Sequence, residues 1–158
     1  MFSTVTSSGL SRSTVVISVE NGLSTTGSNQ VLLIDQTSAV LDDVTVCTKV
    51  KNESAYPLHE SVEVYVKYKN AQPDEPGFQL KGIACVELQA GEEKEVSVTL
   101  HARDFAVITE DGGCVVRPGE YEISIGGQQP GERSRALTGR ETEILTVRKE
   151  GNEENVEY

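Results

Sequence analysis

The chain of 158 residues has no tryptophan, one methionine, three phenylalanines and two histidines. Proteins that hold sugars stack them on flat, exposed aromatic faces. Here only Tyr56, before a proline, and Tyr65, on the polar side of an alternating run, are candidate rings for that task. The histidines, His59 and His101, stand more than forty positions apart, without a metal-ligand spacing. Three cysteines, Cys47, Cys85 and Cys114, form no CxxC pair. That argues against a cysteine zinc site and against a disulfide scaffold. Cys47 and Cys114 sit among valines, where a small buried apolar residue is expected. Widely spaced thiols point toward a reducing compartment such as cytoplasm, although the compartment itself is left open.

No stretch approaches the ~18 apolar residues of a membrane span. Met1–Ser13 lacks the basic-then-apolar layout of a secretion signal. Basic residues are also scarce, 14 against 25 acidic ones, for a formal net charge of −11. Such a field repels phosphate backbones and anionic bilayers, so neither nucleic acid nor membrane is an expected partner. No phosphate-binding loop, dinucleotide fingerprint or G-x-S-x-G elbow is present. Asn52-Glu53-Ser54 matches the N-glycosylation sequon.

What the chain does have is a period of two. Valines recur at 44, 46 and 50. Apolar and polar residues alternate through Val62, Val64 and Val66, through Val96, Val98 and Leu100, and through Tyr121, Ile123 and Ile125. Alternation places all apolar side chains of a strand on one face. Weaker strands are expected at Thr14–Val19, Val31–Ile34, Gly82–Leu88 and Glu143–Arg148. Ala90-Gly91-Glu92, Asp111-Gly112-Gly113 and Pro118-Gly119-Glu120 read as turns. Ala102–Val107 has room for a single helical turn with Phe105 inward, and no longer amphipathic helix is expected. Half-apolar strands need a second sheet to cover them. The expected fold is therefore all-β, an immunoglobulin-like or fibronectin type III-like sandwich of about seven to eight antiparallel strands. Its expected limits are 14–149, after an entry segment 1–13 and before an acidic, disordered tail 150–158. Residues 70–77 read as a polar, solvated loop with two prolines.

Glycoside hydrolysis needs two carboxyl groups flanking one bond. Acids are plentiful, among them Asp42, Asp43, Glu92, Glu93, Glu95, Glu110 and Asp111, but they fall in turns or on polar strand faces. They read as solvated charges. No catalytic, cofactor-binding or metal-binding residue is assigned, and no cofactor is expected.

Several segments together resemble one family. They are Gly9–Val15, Val50-Lys51-Asn52 followed by Val62–Val66, Leu80-Lys81-Gly82-Ile83 followed by Leu88–Glu92, Arg103–Phe105, Glu110–Gly112, Pro118–Gly127 and Glu132–Gly139. In order and spacing they resemble the C-terminal fibronectin type III-like domain of family 3 glycoside hydrolases, of the bacterial β-glucosidase and β-xylosidase type. Ile83 stands where that family has phenylalanine, and Arg12 where it has an aromatic residue. The resemblance implies a non-catalytic accessory domain. Its partners would be a catalytic barrel and an α/β sandwich domain supplied by upstream sequence, so no activity is expected of this chain alone. It also implies that loop 70–77 is the place to look for a contribution to an active-site mouth. The rival expectations are a free-standing carbohydrate-binding module, with oligosaccharide as partner, and a protein-interaction sandwich.

Overall fold

The computed structural model describes residues 4–7, 10–19, 24–26, 31–34, 44–52, 54–139 and 142–157. Its strands are β1 Thr4–Ser7, β2 Leu10–Val19, β3 Ser24–Thr26, β4 Val31–Ile34, β5 Val44–Lys51, β6 Leu58–Tyr68, β7 Gln79–Leu88 and β8 Glu93–Leu100. Then follow β9 Val107–Ile108, β10 Cys114–Val116, β11 Gly119–Gly126, β12 Glu143–Lys149 and β13 Glu154–Asn155. A 3-10 turn, Ala102–Phe105, and one helix, α1 Glu132–Thr138, complete the described elements.

One main sheet runs β1-β2-β5-β8, with β3 also on β2; the other runs β4-β12-β11-β6-β7, and a small third sheet runs β13-β10-β9. Val44, Val46, Val50, Val96 and Leu100 from the first meet Val62, Val64, Val66, Tyr121, Ile123, Ile125, Leu145 and Val147 from the second in one buried core. β-branched side chains dominate because they pack well on a pleated, half-buried surface. The all-β sandwich expected from the alternation is the fold observed. Phe105 projects inward from the 3-10 turn and meets Tyr121 edge-on, centroids 5.5 Å apart. Tyr68 lies 5.0 Å from Tyr121 on another side. The turn is closed by the Asp104 carboxylate, which accepts from the His101 backbone N–H at 2.8 Å.

β6 and β7 slip register between Val64 and Tyr65, so that Val64 faces Gly82 and Tyr65 faces Leu80. Lys81 is the extra residue of this bulge. It restores alternation after an odd step, putting both Leu80 and Ile83 on the outer face. A bulge re-aims side chains in this way. On the inner face Gly82 is needed for close approach: a Cβ there would lie 2.4 Å from Cγ1 of Val98.

Seven strands of seven or more residues agree with the seven or eight expected, and short strands bring the described number to thirteen. Other expectations are corrected. The pairing is not wholly antiparallel, because β4 runs parallel to β12. A parallel pair has no connecting hairpin, so nothing local marks it. The limit drawn at residue 13 falls inside β2, which begins at Leu10. The tail at 150–158 is not without structure: β13 pairs with β10, and Val156 packs against the core. Two residues of strand are too short to show a period. Helix α1 was not expected. It buries no residue and leaves Leu137 78% exposed, so no amphipathic stripe announces it.

Candidate functional site

The chemistry-bearing side chains are dispersed. His59 and His101 are both exposed, on β6 and just after β8. Glu92 accepts from the Gln89 backbone N–H at 2.7 Å and approaches Lys94 at 3.5 Å. Glu93 and Glu95 are exposed on β8, and Glu110 and Asp111 occupy the turn before β10. Asp42 and Asp43 lie outside the described residues. Among the described residues, no group of three or more His, Cys, Asp or Glu is placed to hold a metal ion. No described helix is long and apolar enough to cross a membrane.

The cysteines are all free thiols. Cys47 is half-buried, not buried as expected. Its parity on β5 sets it opposite Val44 and Val46, on the outer face. Partial burial, then Glu95, pushes its thiol pKa up. Cys114 is also half-buried and Cys85 is exposed.

Asn52 is fully buried. Its Nδ2 donates to the carbonyls of Tyr56 (2.7 Å), Leu88 (3.2 Å) and Gln89 (3.1 Å). Its Oδ1 accepts from the Ser54 backbone N–H and hydroxyl, both at 2.8 Å. The amide that the sequon marks for a glycan is thus a clamp joining the end of β5 to the turn after β7. The recognisable signal is the Asx turn to Ser54; the partners 36 and 37 residues away leave no local trace.

Tyr56, 74% exposed, follows β5, whereas Tyr65 lies midway along β6. The strand from Leu58 to Tyr65 extends about 23 Å at ~3.3 Å per residue. The two rings therefore form no common platform. Tyr65 is half-buried and donates to Glu63 Oε2 at 2.8 Å. Burial, followed by that carboxylate, pushes its phenol up to about 12. Beside it, Leu80 is 50% and Ile83 56% exposed, side by side through the bulge. This outer face of β6 and β7 is the described site where large apolar side chains cluster in solvent. A separate open groove of about 310 Å³ lies between α1 and β12, lined by Arg135, Glu132, Thr142 and Ile144 among others.

Loop 70–77 is anchored rather than merely solvated. Glu75 Oε1 accepts from Arg117 Nη1 at 2.6 Å, and Oε2 accepts from the Gln72 backbone N–H at 2.8 Å. The Gln72 N–H and then Arg117 hold the Glu75 carboxyl below its ordinary value of 4.5. A depressed pKa means the tether contributes above the ordinary carboxylate range and is lost as pH falls through the lowered pKa. An NMR titration of the Glu75 carboxyl should show a midpoint below 4.5. Arg117→Gln should raise it only in part, because the Gln72 N–H remains. A midpoint at or above the ordinary value would show that the tether is not formed.

Residues 60–129 match the fibronectin type III-like domain. β-Glucosidase B of Emericella nidulans is 35% identical over 98 residues, which is 61% of this chain and 11% of that protein. An exo-α-(1→6)-L-arabinopyranosidase of Bifidobacterium longum is 39% identical over 83 residues, again 11% of its length. Among solved structures, a β-glucosidase of Listeria innocua superposes with a TM-score of 0.61 at 22% identity, over 90% of this chain and 17% of that one. The family 3 β-glucosidase of Bifidobacterium adolescentis gives 0.57 at 28% identity, over 86% and 17%. The two-sheet fold is that of a fibronectin type III-like domain. More particularly, it is similar to the domain found in family 3 glycosidases such as that of Bifidobacterium adolescentis, in line with the resemblance of the sequence motifs. The chain spans about a tenth of the curated relatives it matches.

Proposed function

We propose that this domain is a non-catalytic accessory part of a family 3 β-glycosidase, which binds the catalytic portion and stabilises it. The observation that supports this best is the disproportion of the match: more than half of this chain corresponds to about a tenth of each larger glycosidase. The exposed Leu80 and Ile83 fit the reading, since apolar clusters left in water mark contact surfaces. The partners would be the catalytic barrel and the α/β domain of such an enzyme.

A chimera tests it. The matching segment of the Emericella nidulans β-glucosidase is replaced by this chain, or deleted. The replacement should retain hydrolysis of an aryl β-glucoside and thermal stability well above the deletion. Indistinguishable inactivation of the two would refute the accessory role. Turnover of the glucoside by the isolated chain would refute the non-catalytic part of the reading.

Within the chimera, Leu80→Asp combined with Ile83→Asp should shorten the half-life of activity severalfold at elevated temperature. In the isolated domain the same pair should move stability by only about 0.5 kcal/mol per site, the range for exposed positions. Equal losses in both contexts would mean that the two side chains serve the sandwich and not a contact.

A further inference from the structure

We propose that the segment after β12, Glu150–Glu157, is a clasp that fixes loop 70–77 in one position, acting through Arg117. The segment follows Lys149, the last residue of β12, whose side chain points inward and is 4% exposed. Its Nζ donates to the carbonyls of Asn152 at 2.8 Å and Glu150 at 3.4 Å, and lies 3.5 Å from Glu154 Oε1. The chain is thereby folded back on itself, with Gly151 at φ +89° supplying the turn. β13 then pairs with β10, Val115 opposite Asn155 and Val116 opposite Glu154. The Val156 N–H donates to the Cys114 carbonyl at 2.9 Å, and its side chain packs on the core.

β10 is thus held between β9 on one edge and β13 on the other. Arg117 is the next residue after β10, so this pairing sets where its guanidinium can reach. It reaches both ways: to Glu75 of the loop at 2.6 Å, and to Glu153 of the segment at 3.6 Å. Tyr121 secures the same corner by donating to the Arg117 carbonyl at 2.6 Å. The loop's own backbone bonds, Ala71 N–H to the Tyr68 carbonyl and Glu75 N–H to the Gln72 carbonyl, stay local. Its link across to β10 is the charge-assisted Arg117–Glu75 bond, of the stronger kind among hydrogen bonds. Two prolines and this bond together turn a polar connection into a preset surface with Asp74 exposed at its tip. Its shape then depends on a segment that lies some eighty residues further along the chain. The clasp goes beyond the accessory role and holds whether or not that role does.

Amide hydrogen exchange by NMR tests it on the full chain, on a chain shortened after Lys149, and on Arg117→Gln. Losing the link should speed exchange at Gln72 and Glu75 about tenfold, the worth of one hydrogen bond to a charged group. Val64 and Ile123, deep in the sandwich, should keep their protection in both variants. In Arg117→Gln, Val156 should stay protected while the loop loosens. Retained protection of Gln72 and Glu75 in either folded variant overturns the clasp. So does a rise at Val64 and Ile123 equal to that in the loop, which would report general destabilisation. If the shortened chain does not fold, Arg117→Gln decides alone.

Discussion

Asn52→Ala is expected to lower the unfolding free energy by roughly 3–4 kcal/mol, a large share of a domain's net stability. The side chain is fully buried, and its Nδ2 faces three backbone carbonyls from two separate turns. Alanine removes the donor, leaving the Leu88 oxygen buried without a partner from Asn52 and the Tyr56 and Gln89 oxygens only partly open to water. The cost per orphaned buried group is about 1–3 kcal/mol. Oδ1 also loses its two bonds from Ser54, so the turn before β6 loosens as well. Asn52→Asp is a sharper variant, because it sets a carboxylate against the same carbonyls and should cost more than alanine. Urea unfolding of the three proteins gives the comparison. A loss under about 1 kcal/mol for alanine would show that the clamp is replaceable. The same experiment bears on modification: a glycan on Asn52 would require this clamp to be undone.

Phe105→Ala is expected to cost about 3–4 kcal/mol, within the range for buried phenylalanine. Phe105 is 2% exposed and comes from a single 3-10 turn, so the structure around it has little freedom to collapse into the space. Its edge-on contact with Tyr121, itself 5.0 Å from Tyr68, adds about 0.5–1.5 kcal/mol beyond the area buried. Phe105→Leu keeps most of the volume and should lose about half as much as alanine. Equal losses for the two would mean that the aromatic contacts, not the volume, dominate. Thermal and urea unfolding of both variants checks this, and a loss near zero for alanine would place Phe105 outside the cooperative core.

Much of the sandwich is legible in the sequence because its central strands are wet on one side. Val62, Val64 and Val66 are buried while Glu63 and Tyr65 are not, and the sequence shows that contrast directly. Phe105 is legible too, as the apolar member of a short turn. What escapes is whatever depends on distant partners. Asn52 reads as a sequon because its carbonyl acceptors are far away in the chain. Cys47 reads as buried from its valine neighbours, although parity with Val44 and Val46 assigns it to the other face. The bulge at Lys81 hides Leu80 and Ile83 from a strict count of two, and β13 is too brief to count at all. The candidate contact face was therefore the least legible part, since it rests on a one-residue slip between β6 and β7.

The parallel pairing of β4 with β12 also bears on how the domain is made. Thr146 sits opposite Val31, more than a hundred residues apart in the chain. Such a contact contributes nothing until a very large loop has closed, and folds rich in distant pairings form slowly. On the ribosome, β4 must wait for almost the whole domain to be synthesised before its partner exists. During that interval the four residues Val31–Ile34, all apolar, are a strand without a ladder. Translation speed and chaperone capture therefore bear on the yield of this domain, since an unpaired apolar strand is prone to aggregate.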